Sequence, residues 1–290
     1  MKHFFIFLLC LGVWSLKASQ PTEVLSGIYI TDVHHLNEKE QTFEVSFWAW
    51  WVSTDQSFDP AQDIEFPTAR EIKTSYSSSG EIEQFKKTEG YYEAVVKTPL
   101  NLTHYPFDRQ NLEILMESVQ HTAHTLKLLP DKENAALGHY LASEEWKVLG
   151  LDMKAGITTH STNFGDIQAK DATQYSNLTF ILSLKRMGWR TYFQIFFGLF
   201  LAAFFNVLIF WLPVNEISIR FSLTLSAVFA ITGAKYIIDT KTPPCPYLTL
   251  GDKLILTNLL LIILTTLSAV VCYHLFKNEK GYLSQIYNKI

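Results

Sequence analysis

Ser222, Ser226, Phe229, Gly233 and Tyr236 follow one another at steps of 4, 3, 4 and 3 residues. On a helix that spacing places all five on one stripe. The hydroxyls and the glycine would keep parts of the stripe open to water, and Phe229 would narrow its middle. Copies of such a helix around an axis make a wet conduit with an apolar constriction, an arrangement that gates by dewetting. The same spacing also suits a helix–helix packing face, where small residues permit close approach. Glu216 and Arg220 stand at one end of the stripe, and Lys235, Asp239 and Lys241 at the other. A charged ring at a pore mouth selects permeant ions, whereas charges that merely flank an apolar helix snorkel to the interface.

Other chemistry is thinly represented. The sequence has no Gly-x-Ser-x-Gly elbow, no His-Glu-x-x-His and no phosphate-cradling glycine loop, so an anchored enzyme is not expected. Glu144 and Glu145 are adjacent; neighbours on a strand point to opposite faces, and the pair reads as solvated loop charge. His121 and the other histidines allow proton sensing, because imidazole is the side chain that switches charge near neutral pH. The three cysteines, Cys10, Cys245 and Cys272, have no metal-ligand spacing, so neither zinc nor another cofactor is suggested. A net charge of -4 gives no electrostatic footprint for nucleic acid.

The elements that must position these residues fall into two parts. Residues 1–19 have a basic start, a short apolar run and small residues at Ala18 and Ser19, the pattern of a signal peptide. Residues 20–187 contain short runs rich in aromatic and β-branched residues, such as Phe43 to Val52 and Leu178 to Leu184, separated by turn-formers. That predicts an extracytoplasmic β-sandwich, Ig-like, of about ten strands. Residues 188–276 predict a transmembrane α-helical bundle with helices near 191–212, 218–239 and 252–276. Short links make successive helices antiparallel neighbours. Export of the sandwich would place the lysine-bearing tail, 277–290, in the cytoplasm, in line with the positive-inside tendency.

Tyr105-Pro-Phe-Asp-Arg-Gln110 resembles the Pro-loop hexapeptide of pentameric ligand-gated ion channels, the Cys-loop receptor superfamily. Phe180 to Arg186 resembles that family's last sensor strand, Arg220 to Phe229 the start of its pore helix, and Pro246 to Asp252 the linker into its third helix. The resemblance implies a homopentamer in a lipid bilayer, with the second helix of each subunit lining a pore for monovalent ions. It implies that the loop bearing Tyr105, Pro106, Phe107 and Asp108 rests on the linker at Pro246 and Tyr247, with Asp108 and Arg186 in a polar layer between them. Read from the residues alone, Asp108 caps its turn and Arg186 anchors at the interface. The resemblance further implies an aromatic ligand box at subunit interfaces, for an amine held by cation–π attraction or for a proton. Trp48 and Trp50, with Trp51, would supply one wall. Phe164 and Tyr175 would flank a capping loop between Thr162 and Gln174, and Glu117 to Thr122, with His121, another wall. The plainer reading of each aromatic is core packing.

Departures from the pattern carry their own expectations. Thr98 and Leu112 stand where the eukaryotic loop has its cysteines, which is similar to the bacterial branch and implies a bacterial inner membrane. Gly198 replaces a proline of the first helix. The stretch after Phe276 is too short to cross a bilayer again, so the sequence leaves open a three-helix variant or a truncated gene. Ile219 stands where cation-selective members carry an acid, yet Glu216 is near enough for the reading to lean to cations. The alternative function is a non-conducting receptor or assembly partner of the same fold.

Overall fold

A computed structural model describes residues 20–139, 141, 145–165, 173–242 and 244–278. The segments read as signal peptide and tail lie outside these residues, apart from Lys277 and Asn278, as do Glu144 and residues 166–172 of the presumed capping loop.

Among the described residues, ten strands form two sheets. β1 (Thr22–Asn37), β2 (Thr42–Ser53), β4 (Ala69–Ile82), β5 (Phe85–Lys97), β7 (Leu126–Pro130) and β8 (Ala136–Leu137) make the larger, in the order β4-β5-β2-β1-β7 with β8 beside β1. β3 (Ile64–Glu65), β6 (Arg109–Thr122), β9 (Trp146–His160) and β10 (Thr173–Arg186) make the other, in the order β3-β6-β10-β9. A one-turn helix, α1 (Pro60–Asp63), precedes β3. The expected β-sandwich is thus present. β2 shows why it forms: Phe43, Val45, Phe47, Ala49 and Trp51 are buried while Glu44, Ser46, Trp48 and Trp50 face out, a period of two that gives each sheet one apolar face. The core joins these residues to Leu112, Ile114 and Met116 of β6 and to Leu178, Phe180 and Leu182 of β10.

Among the described residues, three long helices follow. α2 (Trp189–Leu208) continues into a single 3₁₀ turn (Ile209–Trp211), and α3 (Ile217–Lys241) and α4 (Leu250–Lys277) complete the bundle. Each has a stretch of at least 20 residues apolar enough to cross a membrane; at 1.5 Å per residue even the shortest spans about 30 Å. α4 begins at a capping box in which Thr249 and Asp252 satisfy each other's backbone N–H. Inside the bundle, Asn206 of α2 accepts a hydrogen bond from the Thr265 hydroxyl of α4 at 2.7 Å, tying two apolar helices by one buried polar contact.

Candidate functional site

The sandwich and the bundle meet at the loop between β5 and β6. Its Tyr105–Pro106 peptide is cis, and it turns Phe107 onto the start of α2, where its ring lies 5.3 Å from Trp189 and 5.2 Å from Tyr192. Gly188, the residue before α2, passes so close that a Cβ there would overlap the Pro106 carbonyl oxygen. On the other side the loop meets the α3–α4 linker: the Leu102 N–H donates to the Tyr247 hydroxyl at 3.1 Å and the Leu250 N–H to the Thr103 carbonyl at 3.1 Å. Pro246 stands next to Tyr247 in the same linker.

At the centre of this junction Arg186, the last residue of β10, is 5% exposed. Its Nε donates to Asp108 at 2.9 Å and its Nη2 to Glu38 at 2.9 Å. The guanidinium also lies over the rings of Tyr105, at 4.9 Å, and Trp146, at 4.1 Å. Gln110 donates to the second oxygen of Asp108. Two carboxylates and two aromatic faces therefore replace the water that Arg186 gives up.

The residues expected around a ligand fall into separate groups. Phe164 and Tyr175 lie 6.2 Å apart, and His160, which the sequence reading did not single out, joins both at 5.3 and 5.7 Å. His160 also lies 2.7 Å from Glu117. Glu117 is 2% exposed, and its other oxygen has no hydrogen-bond partner among the described residues. Glu65 pairs with Glu117 across β3–β6. Burial, with the Glu117 charge second, holds the Glu65 carboxyl above the usual range. His121 lies instead 3.4 Å from Asp63. Trp48 and Trp50 are on the other sheet. Trp48 packs on Tyr76 and Tyr91, while Trp50 covers Gly27 and donates to Asp131 at 3.0 Å. Trp51 turns into the core.

On α3, Ser222, Ser226, Phe229, Gly233 and Tyr236 are all exposed, Phe229 by 68%. The opposite face carries Ala227, Ile231, Ala234 and Ile238, buried where the bundle packs. The stripe therefore has no packing role inside the subunit. The serine hydroxyls donate to carbonyls one turn back, at 3.0 and 2.9 Å. Glu216 is exposed at the helix start. Arg220, expected beside it at a pore mouth, is placed differently. It is 1% exposed and donates to the Leu212 carbonyl at 2.5 Å. The reason is periodicity: helical steps from Arg220 reach Ala227, Ile231, Ala234 and Ile238, the face turned inward.

Comparison with known proteins bears on what this assembly is. No family model matches the chain. The chain is 22% identical over 282 residues to the proton-gated ion channel of Gloeobacter violaceus, covering 89% of itself and 75% of that protein. It is 24% identical over 288 residues to neuronal acetylcholine receptor subunit beta-3 of Gallus gallus and 23% over 286 residues to subunit non-alpha-2 of Carassius auratus. Each of these two alignments covers 88% of this chain but only 58% and 57% of the receptor subunit. These relatives are pentameric ligand-gated channels, and the chain is similar to them over most of its own length.

For a pentameric ligand-gated channel relative, the sandwich followed by three apolar helices is the matching fold, and the chain is a multi-pass membrane protein. The chain spans a little over half the length of those receptor subunits. Sequence reasoning paired Asp108 with Arg186 but missed Glu38, Trp146 and Glu65. Trp146 was findable, because it faces Arg186 at the last register position of β9 and β10. Glu38 comes from a turn far away in sequence and left no local signal.

Proposed function

We propose that the chain is one subunit of a ligand-gated ion channel, assembled as a homopentamer. The observation that supports this reading best is the junction. The Pro106 loop holds both the start of α2, through Phe107, and the α3–α4 linker, through Tyr247. A shift in the sandwich therefore has a direct path both to the start of α2 and to the link between α3 and α4, the coupling between separate sites that gating needs. In the assembly α3 lines the pore, its exposed stripe facing the axis and Phe229 forming the constriction. Ligand binds in the sensor at the subunit interface, where His160, Phe164 and Tyr175 of one subunit meet Trp48 and Trp50 of the next. An amine or a proton is the stimulus, because the pocket combines aromatic faces with Glu117 and Glu65. Monovalent cations are the conducted species. The setting is a bacterial inner membrane with the sandwich outside.

Single-channel current from the purified chain in planar bilayers tests this, across pH and a panel of small amines. Stimulus-dependent current that becomes constitutive in Phe229→Ala is the expected result. Silence from both proteins, with pentamers confirmed by mass, would favour a non-conducting receptor of the same fold.

A further inference from the structure

Cysteine spacing gives no metal site in this chain, yet three donor atoms converge where β1 and β2 pair. His34 and Glu44 are direct cross-strand partners, and His34 Nε2 lies 3.0 Å from Glu44 Oε2. In a regular strand the next residue, His35, would point to the opposite face. It sits instead in the register shift between His34 and Asn37, with φ of 48°. That left-handed residue breaks the alternation and brings the second imidazole round to the same carboxylate. His35 Nδ1 lies 3.1 Å from Glu44 Oε1, and the donor atoms of all three residues lie within 4.8 Å of one another.

The surroundings are those of a ligating histidine. Asp32 Oδ2 lies 3.0 Å from His34 Nδ1. With a metal on Nε2, the Nδ1–H would donate to this carboxylate, the second-layer arrangement that orients metal-bound imidazoles. The adjoining cleft, about 550 Å³, is also lined by Glu71 and Glu93, with Lys73 offsetting part of their charge.

We propose that His34, His35 and Glu44 form a binding site for a divalent transition-metal ion of the zinc class. Two imidazoles and one carboxylate make a three-ligand set with a fourth position open to water. Imidazole donors favour zinc, nickel and copper over calcium and magnesium, which prefer all-oxygen shells. Bonds of roughly 2.0–2.1 Å put tetrahedral donors a little over 3 Å apart. Each imidazole already lies near that separation from one of the two Glu44 oxygens, at 3.0 and 3.1 Å. The two imidazoles close the remaining gap by ring rotation, which their side-chain exposures of 40% and 75% permit. The ion would clasp β1 to β2 at the base of the turn carrying Glu38, the second carboxylate on Arg186.

The test is zinc titration of the full-length chain in detergent by calorimetry, with Co²⁺ absorption as a readout of coordination. The wild type is expected to bind one zinc per chain in the presence of excess Mg²⁺ and to give the intense visible bands of tetrahedral Co²⁺. His35→Asn tolerates the left-handed backbone, and Glu44→Gln keeps the side-chain shape. Each should abolish the Co²⁺ bands and weaken zinc at least tenfold, with metal-free melting unchanged. Asp32→Asn should weaken zinc by about 10–100-fold through loss of orientation. His124→Asn, an exposed histidine elsewhere, should change nothing. No saturable zinc binding by the wild type would overturn the proposal. So would a Co²⁺ spectrum and zinc affinity that survive in both His35→Asn and Glu44→Gln, since the ion would then be held by other residues.

Discussion

At the scale of single residues, the charge on Arg186 is set by opposing terms. Burial works to lower its pKa, but the charge and hydrogen bond of Asp108, with those of Glu38, more than offset it, and the net shift is upward. Beside it Tyr105 is pushed up to about 12, by burial first and with Arg186 opposing. The junction therefore holds a permanent cation and a neutral phenol at any physiological pH. Removing one partner of a buried pair strands the other, so Asp108→Ala should cost about 3–5 kcal/mol. Chemical denaturation of the detergent-solubilised chain checks this; a loss under 1 kcal/mol would mean that Glu38 alone satisfies Arg186. Glu65 runs the other way. Its folded pKa is raised from 4.5, chiefly by burial and then by Glu117. A raised carboxylate pKa penalises the folded state above that folded value, and the penalty fades as pH falls through it towards 4.5. Glu65→Gln should therefore melt higher than wild type at neutral pH, with the advantage shrinking on acidification. An advantage that grows towards pH 4 would contradict the assigned sign.

At the scale of elements, the junction depends on a backbone approach as much as on charge. Gly188 has φ of -77°, which any residue adopts, so its requirement is one of space. Adding a methyl group against the Pro106 carbonyl forces the loop or the start of α2 to move. Gly188→Ala should cost about 1–3 kcal/mol, the usual range for overpacking, and should lower the melting temperature without loss of helix signal. Unchanged melting would show that the loop yields freely. How far such features were legible in the sequence depended on whether their cause was local. The alternation in β2 was readable because burial with period two leaves apolar residues at every second position. The helices were readable because lipid demands long apolar runs. The Asp108–Arg186 contact was reachable only through the hexapeptide resemblance, since one partner lies in the β5–β6 loop and the other ends β10. The cluster of His160 with Glu117 and the clasp of His35 on Glu44 arise from strand pairing and from a bulge, which no short segment announces. Arg220 was misplaced for a related reason: helical spacing groups residues by face but does not say which face turns inward.

At the scale of the whole molecule, the inward turn of Arg220 decides what charge remains at the proposed pore mouth. With the guanidinium buried and its Nη2 donating to the Leu212 carbonyl inside each subunit, Glu216 is the exposed ionisable group at the start of α3. At the other end Lys235 is held by both oxygens of Asp239, at 2.9 and 3.0 Å, which neutralises it locally. Around a symmetry axis this leaves a ring of negative charge at the Glu216 mouth, the pattern expected of a cation-selective pore. In a tenfold salt gradient an ideally selective pore reverses at about 59 mV for a monovalent ion. Glu216→Ala should bring the reversal potential at least halfway to zero, while Glu216→Asp should leave most of it. Arg220→Gln, altering a charge that does not face the axis, should move it little. A reversal potential indifferent to Glu216 but sensitive to Arg220 would mean that the guanidinium swings into the mouth when the pore opens, and selectivity would then have to be argued from that open arrangement.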